Sequence, residues 1–143
     1  MSGTFQGANT LQFTPDNKQC YAYSGVVSPT NAVNAIGIDF TTNSEYIKGR
    51  VYFSIDNDDL SSGEQIGWKI MLNNQQITMS RVEASAADIV ESALAPYFDV
   101  VIPPFTNFKA EAFTNGSSVD SSFVFTGTVH GAIEQLDLRL MNE

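Results

Sequence analysis

Asp56, Asp58, Asp59 and Glu64 crowd into nine consecutive positions of the stretch FSIDNDDLSSGEQIGW, residues 53–68, in a chain whose charged residues make up only 16%. Carboxylates at such short spacing could ligate a cation or work as an acid and base pair. The best-defined calcium loop, that of the EF-hand, needs oxygen ligands at positions one, three and five, glycine at six and glutamate at twelve. Counted from Asp56, Asp58 fills position three, but Leu60, Ser61 and Gly67 stand at five, six and twelve. The EF-hand is thereby excluded. A calcium site of irregular ligand spacing built from Asp56, Asp58, Asp59 and Glu64 stays open. The ordinary reading is a solvated turn, because Asn, Asp, Ser and Gly are turn residues and charge runs face water. No other cofactor is expected. Paired carboxylates also hydrolyse glycosides, at separations of about 5–5.5 Å or about 6.5–9.5 Å that spacing along a chain does not reveal.

Other catalytic groups are scarce. The chain holds one histidine and one cysteine, and no Gly-x-Ser-x-Gly elbow, P-loop, His-Glu-x-x-His or Cys-x-x-Cys. His130 stands beside threonines with no nucleophile or orienting carboxylate adjacent, so an exposed or hydrogen-bonded surface role is expected. Cys20 lies among aromatics and reads as a small buried hydrophobe, not a reactive thiolate. A non-enzymatic protein is the expectation.

The aromatics offer a different chemistry, since Tyr21, Tyr23, Tyr46, Tyr52, Trp68 and Tyr97 could stack on sugar rings from an exposed sheet face. Trp68 shares its side of a strand with Ile70 and Leu72 and belongs in the core. Tyr21 and Tyr23, two residues apart, share a face and suit an exposed platform or a subunit contact, as does Tyr97. In FVFTGTV, Val124 stands opposite Phe123 and Phe125, so that strand is apolar on both sides and its second face is expected against another subunit.

Sixteen acidic residues against seven basic ones give a formal charge of −9. Such a surface repels phosphate backbones, and Lys18, Lys48, Arg50, Lys69, Arg81, Lys109 and Arg139 form no run. Neither nucleic acid nor an anionic membrane is an expected partner. The 143 residues suffice for one domain with a core of its own. A single cysteine permits no internal disulfide, and MSGTFQGANT lacks the basic and apolar regions of a signal peptide, so synthesis in a cytoplasm is expected.

Period-two alternation positions these residues. In YIKGRVYFSID, Ile47, Val51, Phe53 and Ile55 fall on one face and Lys48, Arg50, Tyr52 and Ser54 on the other. QIGWKIML follows, with Asn73-Asn74 as a tight hairpin before a strand expected to be short. Phe98, Val100 and Ile102 share a face until Pro103 and Pro104 end the ladder. Phe108, Ala110 and Ala112 oppose Lys109 and Glu111; Phe123, Phe125, Gly127 and Val129 oppose Thr126, Thr128 and His130; Leu136, Leu138 and Leu140 alternate last. QCYAYSGVV and AVNAIGIDF read as strands either side of the Ser28–Asn31 turn. SAADIVESALAP, with Ile89, Val90, Ala93 and Leu94 at helical spacing and Pro96 after it, predicts a short crossover helix over about 86–95. The fold expected is all-β, a single antiparallel β-sandwich of jelly-roll type over residues 1–143, with residues 1–13 as an extended N-terminal arm. The acidic stretch then becomes a hairpin or inter-sheet loop.

GRVYFSIDNDDLSSGEQIGWKIMLNNQQI and PYFDVVIPPFTNFKAEAFTNGSSVDSSFVFTGTVHG together resemble the small single jelly-roll structural proteins of tailed phages and other DNA viruses, over residues 45–131. The resemblance lies in an aromatic-rich strand, an acidic hairpin, GWKIMLN, IPP and FTGTVHG, and transfers no binding residue. It implies a virion subunit, such as a capsid decoration, minor capsid or fibre-base protein, assembling with itself as a trimer or around capsid symmetry axes, and with other virion proteins. The alternative class is a carbohydrate- or receptor-binding sandwich that stacks sugars on exposed tyrosines, with calcium in the acidic loop.

Overall fold

Where the sequence alternates, the chain runs extended. The computed structural model describes residues 11–16, 18–55, 64–83, 96–116 and 120–131. Within them lie nine strands: β1 (Gln12–Phe13), β2 (Gln19–Tyr23), β3 (Ala35–Thr41), β4 (Tyr46–Ile55), β5 (Gln65–Leu72), β6 (Gln75–Glu83), β7 (Tyr97–Ile102), β8 (Asn107–Thr114) and β9 (Ser121–His130). They form a five-stranded sheet in the order β1-β2-β9-β4-β7 and a four-stranded sheet in the order β3-β8-β5-β6. Every pairing is antiparallel.

Only the β1–β2 and β5–β6 connections stay within a sheet; every other connection crosses to the opposite one. The order β2-β9-β4-β7 against β3-β8-β5-β6 is that of a jelly roll, two Greek keys folded into a sandwich, with β1 added at one edge. The acidic segment after Ile55 therefore joins two sheets and is not a hairpin. The β6–β7 connection is also a crossover, as expected, but the helix predicted over 86–95 lies outside the described residues. So do the strand around Leu136, Leu138 and Leu140, residues 1–10 of the N-terminal arm, and Asp56, Asp58 and Asp59.

The core sits between the sheets because each strand turns its apolar set inward. β8 alternates throughout, with Phe108, Ala110 and Ala112 fully buried. Two aromatic groups fill the space. Phe40, Phe108 and Phe125 pack with centroids 5.0–5.4 Å apart at one end. Phe53, Trp68 and Phe123 pack 5.1–6.4 Å apart towards the other. Trp68 is 1% exposed, as its face predicted. Phe125 owes its space to Gly49 and Gly127, a cross-strand pair: a Cβ on Gly49 would lie 2.3 Å from the Phe125 ring and 2.6 Å from the Thr126 carbonyl oxygen.

The Asn73-Asn74 turn forms as predicted, with both residues in the left-handed region at φ 51° and 66°. The strand after it is not short. β6 runs nine residues because it pairs with the whole of β5, although Ile77 and Met79 face outward and the polar Thr78 and Ser80 are half-buried. β1 is a further difference: Gln12 and Phe13, expected in an extended arm, hydrogen-bond along β2 as an edge strand.

Candidate functional site: the outer face of the five-stranded sheet

Cross-strand register turns residues distant in sequence into rows on the outer face of the five-stranded sheet. One row reads Gln19, Thr128, Lys48, Val101; the next reads Tyr21, Thr126, Arg50, Asp99; the third reads Tyr23, Val124, Tyr52, Tyr97. In this third row three ring-bearing side chains and a valine lie side by side across four strands. Tyr23, Tyr52 and Tyr97 are 46%, 40% and 43% exposed, so a monomer leaves nearly half of each ring-bearing side chain in water.

The middle row braces the third. Arg50 Nε and Nη2 donate to Asp99 Oδ1 and Oδ2 at 2.7 and 3.2 Å, a two-point clasp. The same guanidinium lies 4.0 Å from the centroid of the Tyr97 ring, and Tyr52 and Tyr97 meet at 6.2 Å. The hydrogen bond from Arg50 holds the Asp99 carboxyl below its ordinary range; hydrogen bonds to Asp99, then to Tyr52, push the Arg50 guanidinium up. Both groups are exposed, so the pair orients Tyr97 more than it stabilises the chain.

Beside the row lies an open trough of about 830 Å³, lined by Thr14, Gln19, Tyr21, Lys48, Arg50 and Thr128 among others. Its side chains can hydrogen-bond hydroxyls or anions. Cys20 contributes to its floor but is 4% exposed, and burial pushes its thiol up to about 11, which makes it inert. His130 stacks on Tyr46 at 4.9 Å and its Nε2 lies 2.9 Å from Thr128 Oγ1, a hydrogen-bonded surface position.

Of the interface residues singled out in the sequence, Tyr23, Val124 and Tyr97 fall in one row and Tyr21 in the neighbouring one. Tyr52, Arg50 and Asp99 complete the patch. Their contribution depends on the register between β4, β7 and β9, which no local pattern encodes. Of the acidic cluster only Glu64 falls among the described residues. Glu64 stands before β5 against Gly116, whose Cβ would meet its carboxyl, while Asp56, Asp58 and Asp59 lie outside the described residues. Among the described residues no group of three or more His, Cys, Asp or Glu is placed to hold a metal ion.

Fold and face define a jelly-roll protein with a braced aromatic stripe on one sheet. No protein-family model matches the chain, and no curated protein matches it. Among solved structures it is similar to the crystal structure of the infectious bursal disease virus VP2 subviral particle, with 16% identity and a TM-score of 0.45 over 82% of this chain and 34% of that one. It is also similar to the structure of the infectious bursal disease virus Gx strain, with 17% identity and a TM-score of 0.43 over 79% of this chain and 32% of that one. The chain spans about a third of the length of the structures it matches. The jelly-roll assignment rests on strand order and not on these likenesses.

Proposed function

We propose that the chain is a non-enzymatic structural subunit of a virion, of the capsid decoration or minor capsid kind, a single-domain protein that assembles as a homotrimer and meets neighbouring virion subunits through the outer face of its five-stranded sheet. The observation that carries this reading is the Tyr23–Val124–Tyr52–Tyr97 row with Arg50 laid on Tyr97. Tyrosine and arginine are the side chains that dominate binding energy at protein interfaces, and a pre-ordered stripe loses little rotamer freedom on docking. One face of Tyr97 is already covered by the guanidinium, which leaves less of that ring for a sugar.

The test is incorporation into particles purified from the cells that make them, comparing the wild-type chain with Val124→Asp. Val124 is only half-buried on the outer face, so the variant folds. Wild-type chain in the particle and variant excluded is the expected result; a strictly monomeric chain absent from every particle would refute the reading.

A second reading, glycan binding, is favoured by the trough and by Tyr21, half exposed at its side. A glycan array run with and without chelator tests it. Binding lost on Tyr21→Ala would support it, and silence in both conditions would leave assembly as the sole function.

A further inference from the structure

The trough beside the aromatic stripe has a floor of short side chains. On β9 the outward residues there are Thr126 and Thr128, both exposed, with Tyr21 and Gln19 of β2 across from them on one side and Arg50 and Lys48 of β4 on the other. Neighbouring strands lie about 4.7–4.9 Å apart, so walls two strands from each other leave room for a sugar ring between them. The backbone beneath is already committed, because β9 is paired with β2 on one side and β4 on the other, and β4 in turn with β7. A peptide strand laid in the trough would find no ladder for its own amides to join. Sugar hydroxyls need none. The Thr126 hydroxyl and the Gln19 carboxamide, which bond no other group among the described residues, are free to meet them.

Charge narrows the class of sugar. Among the described residues the trough is lined by three charged side chains, Lys48, Arg50 and Asp99, and Asp99 is clasped by Arg50. Lys48 is exposed, faces Thr128 and Val101 across the sheet and, among the described residues, pairs with no carboxylate. An unmatched ammonium beside free hydrogen-bonding groups is a place for one anionic group. A polyanion would meet the repulsion of a chain of charge −9 around it. We infer that the trough binds a glycan through a sugar that bears a carboxylate. Lys48 holds the carboxylate, Thr126 and Gln19 bond the hydroxyls, and the Tyr21 ring, 50% exposed, stacks on the apolar side of the sugar.

The inference rests on the glycan-binding reading of the trough and names the ligand. Calorimetry and saturation-transfer NMR on the full chain test it with matched pairs of sugars: methyl glucuronide against methyl glucoside, methyl galacturonide against methyl galactoside, and sialyllactose against lactose. At least one acidic sugar should bind tenfold or more tighter than its neutral counterpart. That preference should vanish in Lys48→Gln and persist in Lys48→Arg, while Tyr21→Ala should weaken acidic and neutral sugars alike. Acidic and neutral sugars bound equally, or a preference that survives in Lys48→Gln, overturns the inference and leaves the glycan-binding reading standing. Binding of no acidic sugar overturns it also, and silence of the whole glycan array takes that reading with it. A triglutamate peptide bound as tightly as the best acidic sugar would make the trough a site for carboxylates at large and overturn the assignment to a sugar.

Discussion

Asp99 gains its low pKa from the hydrogen bond of Arg50, and the sign of its effect on stability follows. With the folded value below the ordinary 3.8 of a free aspartate, its contribution is complete above that pH and is lost as pH falls through the folded value. Both partners are exposed, so the effect is small and salt-sensitive. In low salt, the unfolding midpoint of Asp99→Asn should decline less between pH 4 and pH 2 than that of the wild type, and added salt should erase the difference. Cys20 works in the opposite direction. Its folded value of about 11 lies above the ordinary 9.0 of a free thiol, so unfolding is favoured as pH rises past 9, and a thiol reagent should label it only in denaturant. Gly49→Ala should destabilise by about 1–3 kcal/mol or more in urea titration, because the added methyl meets the Phe125 ring and a carbonyl oxygen that cannot withdraw. Cys20 and Trp68 were legible in the sequence because each sits in a local apolar pattern. Gly49 was not, since its reason is a ring on another strand.

Strands were legible where apolar residues point inward and polar ones outward, as in β4, β8 and β9. β6 inverts that rule, with Ile77 and Met79 outward and Thr78 and Ser80 half-buried, and a register shift between Ile70 and Met71 disturbs its pairing. Its length was therefore underestimated from pattern alone. The turn before it was legible because asparagine tolerates positive φ. Asn73 Oδ1 also accepts from the Asn107 amide at 2.9 Å, which ties the turn to β8. Asn73→Ala should lose both features and about 1–3 kcal/mol of stability, while Asn74→Gly should be neutral or stabilising. Chemical denaturation of the two variants side by side checks this.

At the scale of the molecule, the jelly roll could be anticipated from strand spacing, but the patch could not. The row Tyr23, Val124, Tyr52 and Tyr97 joins four strands whose residues lie up to 101 positions apart, and only the register of β2, β9, β4 and β7 aligns them. Two exposed features thus share one sheet face: the braced stripe and the trough beside it. The acidic residues that first suggested chemistry belong to the connection between β4 and β5, which joins the two sheets. The central claim is that this chain works by assembling through its sheet face, and particle incorporation of wild type against Val124→Asp tests it most directly. Wild-type chain recovered in purified particles, with folded Val124→Asp left in the soluble fraction, is the expected result; equal incorporation of both, or of neither, would contradict it.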